Sequence, residues 1–492
     1  MTDGHALLNE SVRRYPKRPA LTQGERTLTY EDLAAAVDRL AARLGDLMPG
    51  QRVAIIAPNC VALPVALFAV WRVGAVPVPL SARYRESELG AILRDADVAV
   101  IVTVAAYRGY SFVAALSPLM PALPTLRRCL FVDEAGAGDE ELAGLAGVAT
   151  PSLDPSVGAL LYSSGTTGVP TGALVSHARE VVSASSANAV LDCGAEDVAI
   201  LVPPISHAFG LTCFLALIQA GSHCVLFDLP FSPAPIAAAV ARYHATILHG
   251  SPTLFASLLT LSWQDWPTPR TGFVAGSACP AVLIERCDAH GFRLLNLYGS
   301  TELGMVSCCR RDDPADVRAL TVGRGLPGYT VRVANGEVQV RCAQAAPAYY
   351  RRPERMVSSF ADGWFRTGDL GTLDSAGCLR ISGRNTEVIH VAGFNVFPAE
   401  IEGLLLSHPD VDQVVVVGVP HPLLGEVPQA FVVPREGAHV SSSDLLRYSR
   451  ARLAGYKLPY TIRIESTLPV LASGKPDRRS LARRAEEAPH GH

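Results

Sequence analysis

The chain has 492 residues, more than one hydrophobic core usually organises, so at least two domains are expected. Apolar residues make up 49% and charged residues 18%, which fits a folded globular protein and excludes an intrinsically disordered one. The formal net charge of −3 gives no overall attraction to nucleic acid or to an anionic membrane, and still leaves room for a local basic pocket that holds a phosphate.

The amino terminus, MTDGHALLNES, has no basic stretch followed by an apolar one, so no signal peptide is expected. Residues 29–44 read as a helix with Thr29 as N-cap, Asp32 at the third position, and Leu33, Val37, Leu40 and Leu44 on one face. The most apolar early segment, residues 61–80, contains Pro64 and Arg72, and its uninterrupted part is too short to span a bilayer. It reads as a buried helix running into a strand, and the expectation is a soluble, cytoplasmic protein with no membrane span. Short apolar strands at 53–56, 75–80, 98–104, 224–227, 245–249, 272–276 and 293–299 alternate with helical stretches. That alternation predicts α/β layers with largely parallel, buried strands.

Around residue 320 the pattern changes. Residues 330–342 alternate in period two about Asn335-Gly336, a hairpin signal, and short strands with glycine turns continue to Arg384. Beyond Arg384 lies a compact unit with strands at 411–420 and 429–434 and a helix starting near Ser443, and the charged tail after Leu481 reads as frayed. The expected architecture is a large α/β N-terminal domain, residues 1–384, with an antiparallel β subdomain at about 320–384. A small C-terminal α+β domain, residues 385–492, follows. Eleven cysteines are scattered without a CxxC pair or zinc spacing, and Cys308 and Cys309 are adjacent, so all are read as reduced thiols.

Residues 162–172, YSSGTTGVPTG, put several backbone N–H groups and hydroxyls beside glycines that let an anion approach closely. This is not the Walker pattern, because no Gly-Lys-Ser/Thr follows at the required spacing. Standing alone it would be an ordinary surface turn. It resembles, however, the phosphate loop of the acyl-adenylate-forming superfamily: acyl-CoA ligases, peptide-synthetase adenylation domains and luciferases. Further stretches resemble that family's motifs in its order. They are PPISHAFG at 203–210, GSACP at 276–280, YGSTE at 298–302, GWFRTGDLG at 363–371, GRNTEVIHVAGFNVFPAEIE at 383–402 and LPVLASGKPDRR at 468–479. The resemblance covers essentially the whole chain.

It implies that a carboxylate attacks the α-phosphate of ATP, and that the thiol of coenzyme A then displaces AMP from the acyl-adenylate. Both steps build negative charge on oxygens, so fixed donors and cations carry the catalysis. By resemblance, Ser164, Gly165, Thr166, Thr167 and Gly168 hold phosphate. Tyr298 stacks on adenine, whose edge meets Asn296 and the turn Gly276-Ser277-Ala278. Gly299 and Ser300 belong to the same nucleotide motif, Thr301 contacts phosphate, and Glu302 holds the Mg²⁺ that accompanies ATP. Asp369 accepts the ribose hydroxyls and Arg384 adds a donor there. Lys475 reaches the α-phosphate during adenylation. His207, with Phe209 and Gly210, flanks the acyl pocket, and Gly393 lets pantetheine pass. The C-terminal domain rotates between the half-reactions about Thr386, where the family usually has Asp or Lys. Residues 205–209 supply no Asp for an α-ammonium, which favours an apolar carboxylic acid over an amino acid.

One residue departs from the pattern. Thr171 stands where the family's SGTTGxPKG loop has lysine, and the lost contact falls on pyrophosphate, a group present in ATP and absent from acyl-AMP. The sequence therefore leaves three readings open. One is a ligase whose adenylation half is lost and which thioesterifies acyl-AMP made by a partner enzyme. The others are a complete ATP-dependent acyl-CoA ligase and an enzyme that loads an acyl-carrier protein.

Overall fold

The computed structural model describes residues 4–133, 138, 141–143, 150–163, 171–228, 233–261, 269–276, 279–342, 348–391, 394–421, 423–471 and 475–487. The helix Tyr30–Arg43 starts as the capping pattern predicts. Thr29 Oγ1 accepts from the Asp32 N–H, and the Asp32 carboxylate accepts from the Thr29 N–H at 3.0 Å. Its apolar stripe is fully used: Leu33, Val37, Leu40 and Leu44 are all buried. The segment 61–80 is the buried helix Ala62–Arg72 followed by the strand Val76–Ser81. Every residue of that helix except Arg72 is buried, so the apolar run serves the core of the protein.

Two mainly parallel sheets form the N-terminal part. The smaller, around Arg52–Ala57, pairs in parallel with Val76–Ser81 and Val100–Val104. The larger has nine strands among the described residues. Its parallel centre runs through Arg293–Ser300, Thr271–Val274, Ile247–His249, Val198–Leu201, His223–Leu226 and Pro19–Gln23. In such sheets the strands' carboxyl ends open onto a common edge, where ligands bind in open α/β folds. The stretches after Leu201, Val274 and Arg293–Ser300 all emerge there.

Beyond it lies the antiparallel sheet of Tyr329–Ala334, Glu337–Cys342, Phe360–Ala361, Trp364–Leu373 and Leu379–Arg384. The predicted hairpin closes on Asn335 (φ 52°) and Gly336 (φ 79°), with Ala334 paired to Glu337. Both turn residues are left-handed, the conformation that suits a two-residue hairpin. The short turn Asn385–Glu387 leads into a last sheet built on the long pair Val411–His421 and Gly425–Pro434. The helix near Ser443 is Ser442–Arg450, capped by Ser441 with Asp444. None of the eleven cysteines forms a disulfide among the described residues.

The tail corrects an expectation. Arg478–Glu487 is a helix, and Leu481 and Ala485, one turn apart, are buried against Val415, Val417, Val419 and Phe431. Its first residue is held as well, since Arg478 donates to both oxygens of the buried Glu402, at 2.7 and 3.0 Å. Nearly all its other side chains are polar, so the two apolar positions were hidden in a charged composition. Replacing Leu481 with Ala is expected to cost about 2–5 kcal/mol and to speed amide exchange along Val411–His421. Unchanged exchange in that strand would show that the helix adds no packing.

Candidate active site

The site assembles where the large parallel sheet meets the antiparallel one. Asp369, only 6% exposed, sits on Trp364–Leu373 and is held from two sides. The Tyr298 hydroxyl donates to its Oδ2 at 2.6 Å, and Arg384 Nε donates to its Oδ1 at 3.0 Å from the paired position on the next strand. Burial, then the Asp369 charge, raises the Tyr298 pKa well above the usual phenol range, so Tyr298 stays a donor. Burial alone would lower the Arg384 pKa, but Asp369, Glu387 and Tyr298 together raise it. Each carboxylate oxygen keeps acceptor capacity beyond its one protein partner.

Tyr298 belongs to Arg293–Ser300, the strand that also carries Asn296, whose side-chain amide donates to the Thr321 carbonyl at 3.1 Å. Asn296 pairs with Val274, two residues before Gly276, so both candidate adenine-side elements share one end of the sheet. Gly276 has φ 94°, a conformation that favours glycine. Near its end the strand bulges between Tyr298 and Gly299. Ser300 Oγ accepts from the Leu303 N–H, and the Thr301 carbonyl accepts from Arg179 Nη1 at 2.7 Å. The Glu302 Oε1 accepts from the Tyr349 hydroxyl at 3.1 Å.

Lys475 comes to this cluster from the C-terminal unit, its loop tied by the Leu471 N–H donating to the Lys475 carbonyl at 2.8 Å. Its ammonium lies within electrostatic range of Arg384, Asp369, Glu387 and Glu302. Part of the residue faces solvent, yet surrounding protein atoms desolvate the ammonium. That desolvation, then Arg384, pushes its pKa down, and the three carboxylates oppose the change. Lys475 in turn acts on His207, which stands at the N-cap position of the helix Ala208–Ala220. Burial, then Lys475 and Arg83, lowers the His207 pKa to about 4, and its Nε2 has no hydrogen-bond partner among the described residues. Phe209 and Gly210 follow on the first turn. A Cβ on Gly210 would lie 2.1 Å from the Pro204 carbonyl oxygen, so glycine is required there by backbone packing.

The described candidates are thus brought together: Asn296, Tyr298, Thr301, Glu302, Asp369, Arg384, Lys475 and His207. Ser164, Gly165, Thr166, Thr167, Gly168, Ser277, Ala278 and Gly393 lie outside the described residues. Thr171, 5% exposed, opens the strand Thr171–Ser176, and its partner Ser163 ends Val157–Ser163. Two supporting residues were not anticipated from the sequence. Arg179, buried and ion-paired with the adjacent buried Glu180, fixes the backbone at Thr301. Tyr349 orients Glu302 across 47 residues of chain. Neither sits in a recognisable motif, and no local pattern marks either contact.

His207 offers a pH test. Its lowered pKa means the unfolded chain takes up a proton first as the pH falls. The stability from the neutral imidazole is therefore present above pH 6.5 and lost as the pH falls toward about 4. The His207 ring resonances are expected to stay in the neutral form down to about pH 5, and a midpoint near 6.5 would contradict this environment.

Residues 8–348 match the AMP-binding enzyme family, and residues 400–475 match the AMP-binding enzyme C-terminal domain. The chain is 34% identical to the 3-[(3aS,4S,7aS)-7a-methyl-1,5-dioxo-octahydro-1H-inden-4-yl]propanoyl:CoA ligase of Mycobacterium tuberculosis, with 97% of each chain covered. It is 32% identical to a feruloyl-CoA synthase of Amycolatopsis sp, over 94% of this chain and 95% of that one. Among solved structures, ATP-bound MatB from Rhodopseudomonas palustris superposes with a TM-score of 0.84 at 28% identity, covering 99% of both chains. The protein belongs to the AMP-binding enzyme family, in the acyl-CoA ligase branch of the acyl-adenylate-forming superfamily, whose members join carboxylic acids to coenzyme A through an acyl-adenylate made from ATP.

Proposed function

We propose that this chain performs both half-reactions, making an acyl-CoA from an apolar carboxylic acid, ATP and coenzyme A. The observation that supports this is the position of Lys475, whose ammonium lies in range of Asp369, Arg384 and Glu302. A cation held there meets the charge that develops on the α-phosphate when a carboxylate attacks it. The acid's oxygen bonds to the α-phosphorus while the bond to the β-phosphate oxygen breaks and pyrophosphate leaves. The thiolate of coenzyme A then adds to the acyl carbonyl and AMP departs.

In this reading Asp369 and Arg384 bind the ribose, Tyr298 and Asn296 flank adenine with the Gly276 turn, and the loop 164–168 takes phosphate. Thr301 adds a phosphate contact, and His207 bounds the acyl pocket as a neutral ring. The unit 385–492 turns about Asn385–Glu387 between the steps and brings the Gly393 loop to the thiol. Mg²⁺ fits as an ion that arrives with ATP. No cluster of three or more His, Cys, Asp or Glu suited to a metal exists among the described residues, while Glu302 supplies one carboxylate whose Oε1 is already oriented by Tyr349. Magnesium is commonly held by one or two carboxylates plus substrate phosphates, and when bound it offsets phosphate charge.

An apolar acid is favoured because residues 205–209 carry no carboxylate to meet an α-ammonium. The M. tuberculosis relative's substrate, a fused-ring propanoyl acid by its name, makes ring-bearing propanoic acids the class to test first.

Thr171 supports a second reading, in which adenylation is lost and only preformed acyl-AMP is thioesterified, with a partner enzyme as its source. Parallel assays separate the two. One supplies acid, Mg-ATP and coenzyme A; the other supplies synthetic acyl-AMP and coenzyme A. Turnover in both is expected, whereas turnover of acyl-AMP with no pyrophosphate released from ATP would establish the second reading. Transfer to a carrier protein but not to free coenzyme A would redirect the thiol step. Lys475→Ala is expected to slow the ATP-dependent reaction by about 10²–10³-fold while acyl-AMP thioesterification stays within about twofold. Equal losses in both assays would remove Lys475 from the adenylation step.

A further inference from the structure

Three arginines follow Tyr349 and Tyr350 in the run YYRRPER, residues 349–355, and the structure treats them differently. Arg351 is ion-paired with Asp97, and Arg352 Nη2 with Asp95 Oδ1 at 2.8 Å. Asp95 anchors the strand Val157–Ser163, and Asp97 anchors the residue that follows Ala348–Tyr349, the strand paired with Thr171–Ser176. Tyr162, one residue from its end, donates to Asp95 at 2.6 Å, and Tyr350 donates to Asp97 at 3.0 Å. Arg355 has no carboxylate within ion-pairing distance among the described residues. Its Nη1 donates to Thr171 Oγ1 at 2.7 Å, and its guanidinium lies over the Tyr349 ring, 5.6 Å from the centroid. Tyr349 is the residue whose hydroxyl orients Glu302.

A half-buried guanidinium without a counter-ion among the described residues is therefore aimed at Thr171, near the end of the glycine- and hydroxyl-rich stretch. It is coupled through one ring to the carboxylate proposed for Mg-ATP. A guanidinium has five N–H donors in a planar fork suited to phosphate oxygens, and the Thr171 contact uses only one nitrogen. The neighbouring arginines are neutralised by aspartates, so Arg355 is the cation of this run left for a ligand. The hydroxyl of Thr171 accepts from it and fixes its direction. A lysine at 171 would place a second cation against it.

We propose that Arg355 is a catalytic residue of adenylation: it binds the β- and γ-phosphates of ATP and carries the charge of departing pyrophosphate, with Thr171 as its positioning residue. This rests on the reading that the chain uses ATP, and deepens it by naming the cation that replaces the absent loop lysine. Pyrophosphate leaves with the electron pair of the broken bond, and a fixed cation at its oxygens lowers the barrier to that departure.

The test is Arg355→Gln, measured in the two assays above and by competition with inorganic pyrophosphate. The ATP-dependent rate is expected to fall by about ten- to a hundredfold, and inhibition by pyrophosphate to weaken in step. Thioesterification of acyl-AMP should stay within about twofold. Arg355→Lys should recover most of the loss, and Thr171→Lys in the Arg355→Gln background should recover part of it by restoring a cation from the other strand. Equal losses in both assays, or no recovery with lysine at 355, would assign Arg355 a purely structural role and overturn the proposal. An unchanged ATP-dependent rate in Arg355→Gln, with the wild type active, overturns this proposal alone. A wild type that turns over acyl-AMP but never ATP overturns both this proposal and the reading beneath it.

Discussion

A carboxylate buried at the junction of two sheets organises this molecule's site. Asp369 is only 6% exposed, and it tolerates that burial because a phenol from the parallel sheet and a guanidinium from the antiparallel sheet both donate to it. An ionised carboxylate without such partners would face a desolvation cost of several kcal/mol. The pairing therefore fixes how Arg293–Ser300 and Trp364–Leu373 stand against each other. It also ties the site to the start of the C-terminal unit, since Arg384 is the last residue before the turn Asn385–Glu387. In the proposed function, the rotation of that unit would begin one residue from the proposed ribose-side anchor.

The other contributions arrange charge around this centre. Lys475 enters from the C-terminal unit and stays compatible with the cleft because Asp369, Glu387 and Glu302 oppose its desolvation. Burial, reinforced by Lys475 and Arg83, favours the neutral form of His207. The buried pair of Arg179 and Glu180 makes little sense as a source of stability, since such pairs roughly cancel their own desolvation. Its use here is geometric: Arg179 pins the carbonyl of Thr301, the residue next to Glu302.

Much of the fold was legible because its signals are local. The Thr29 cap with Asp32 and the Asn335-Gly336 hairpin are each decided within a few residues, and each formed where the pattern put it. The candidate site motifs were readable for the same reason, since each is a short contiguous run. What sequence could not carry were contacts between runs. Arg355 meets Thr171 across 184 residues, and neither residue's neighbours mark the pairing. The closing helix was hidden differently: its packing rests chiefly on the buried Leu481 and Ala485, with Ala482 beside them, while Arg478 reaches back 76 residues to Glu402. Polar composition made it read as frayed, although two apolar positions four residues apart suffice once a sheet waits beneath them.

Asp369, Lys475 and the strand ends around them are proposed to form one nucleotide site. A crystal structure with Mg²⁺ and a non-hydrolysable ATP analogue tests it most directly. Ribose hydroxyls are expected on Asp369, adenine against Tyr298, and the Lys475 ammonium within hydrogen-bond distance of the α-phosphate. A nucleotide seated away from Asp369, or one whose α-phosphate is met by no group of the C-terminal unit, would contradict it.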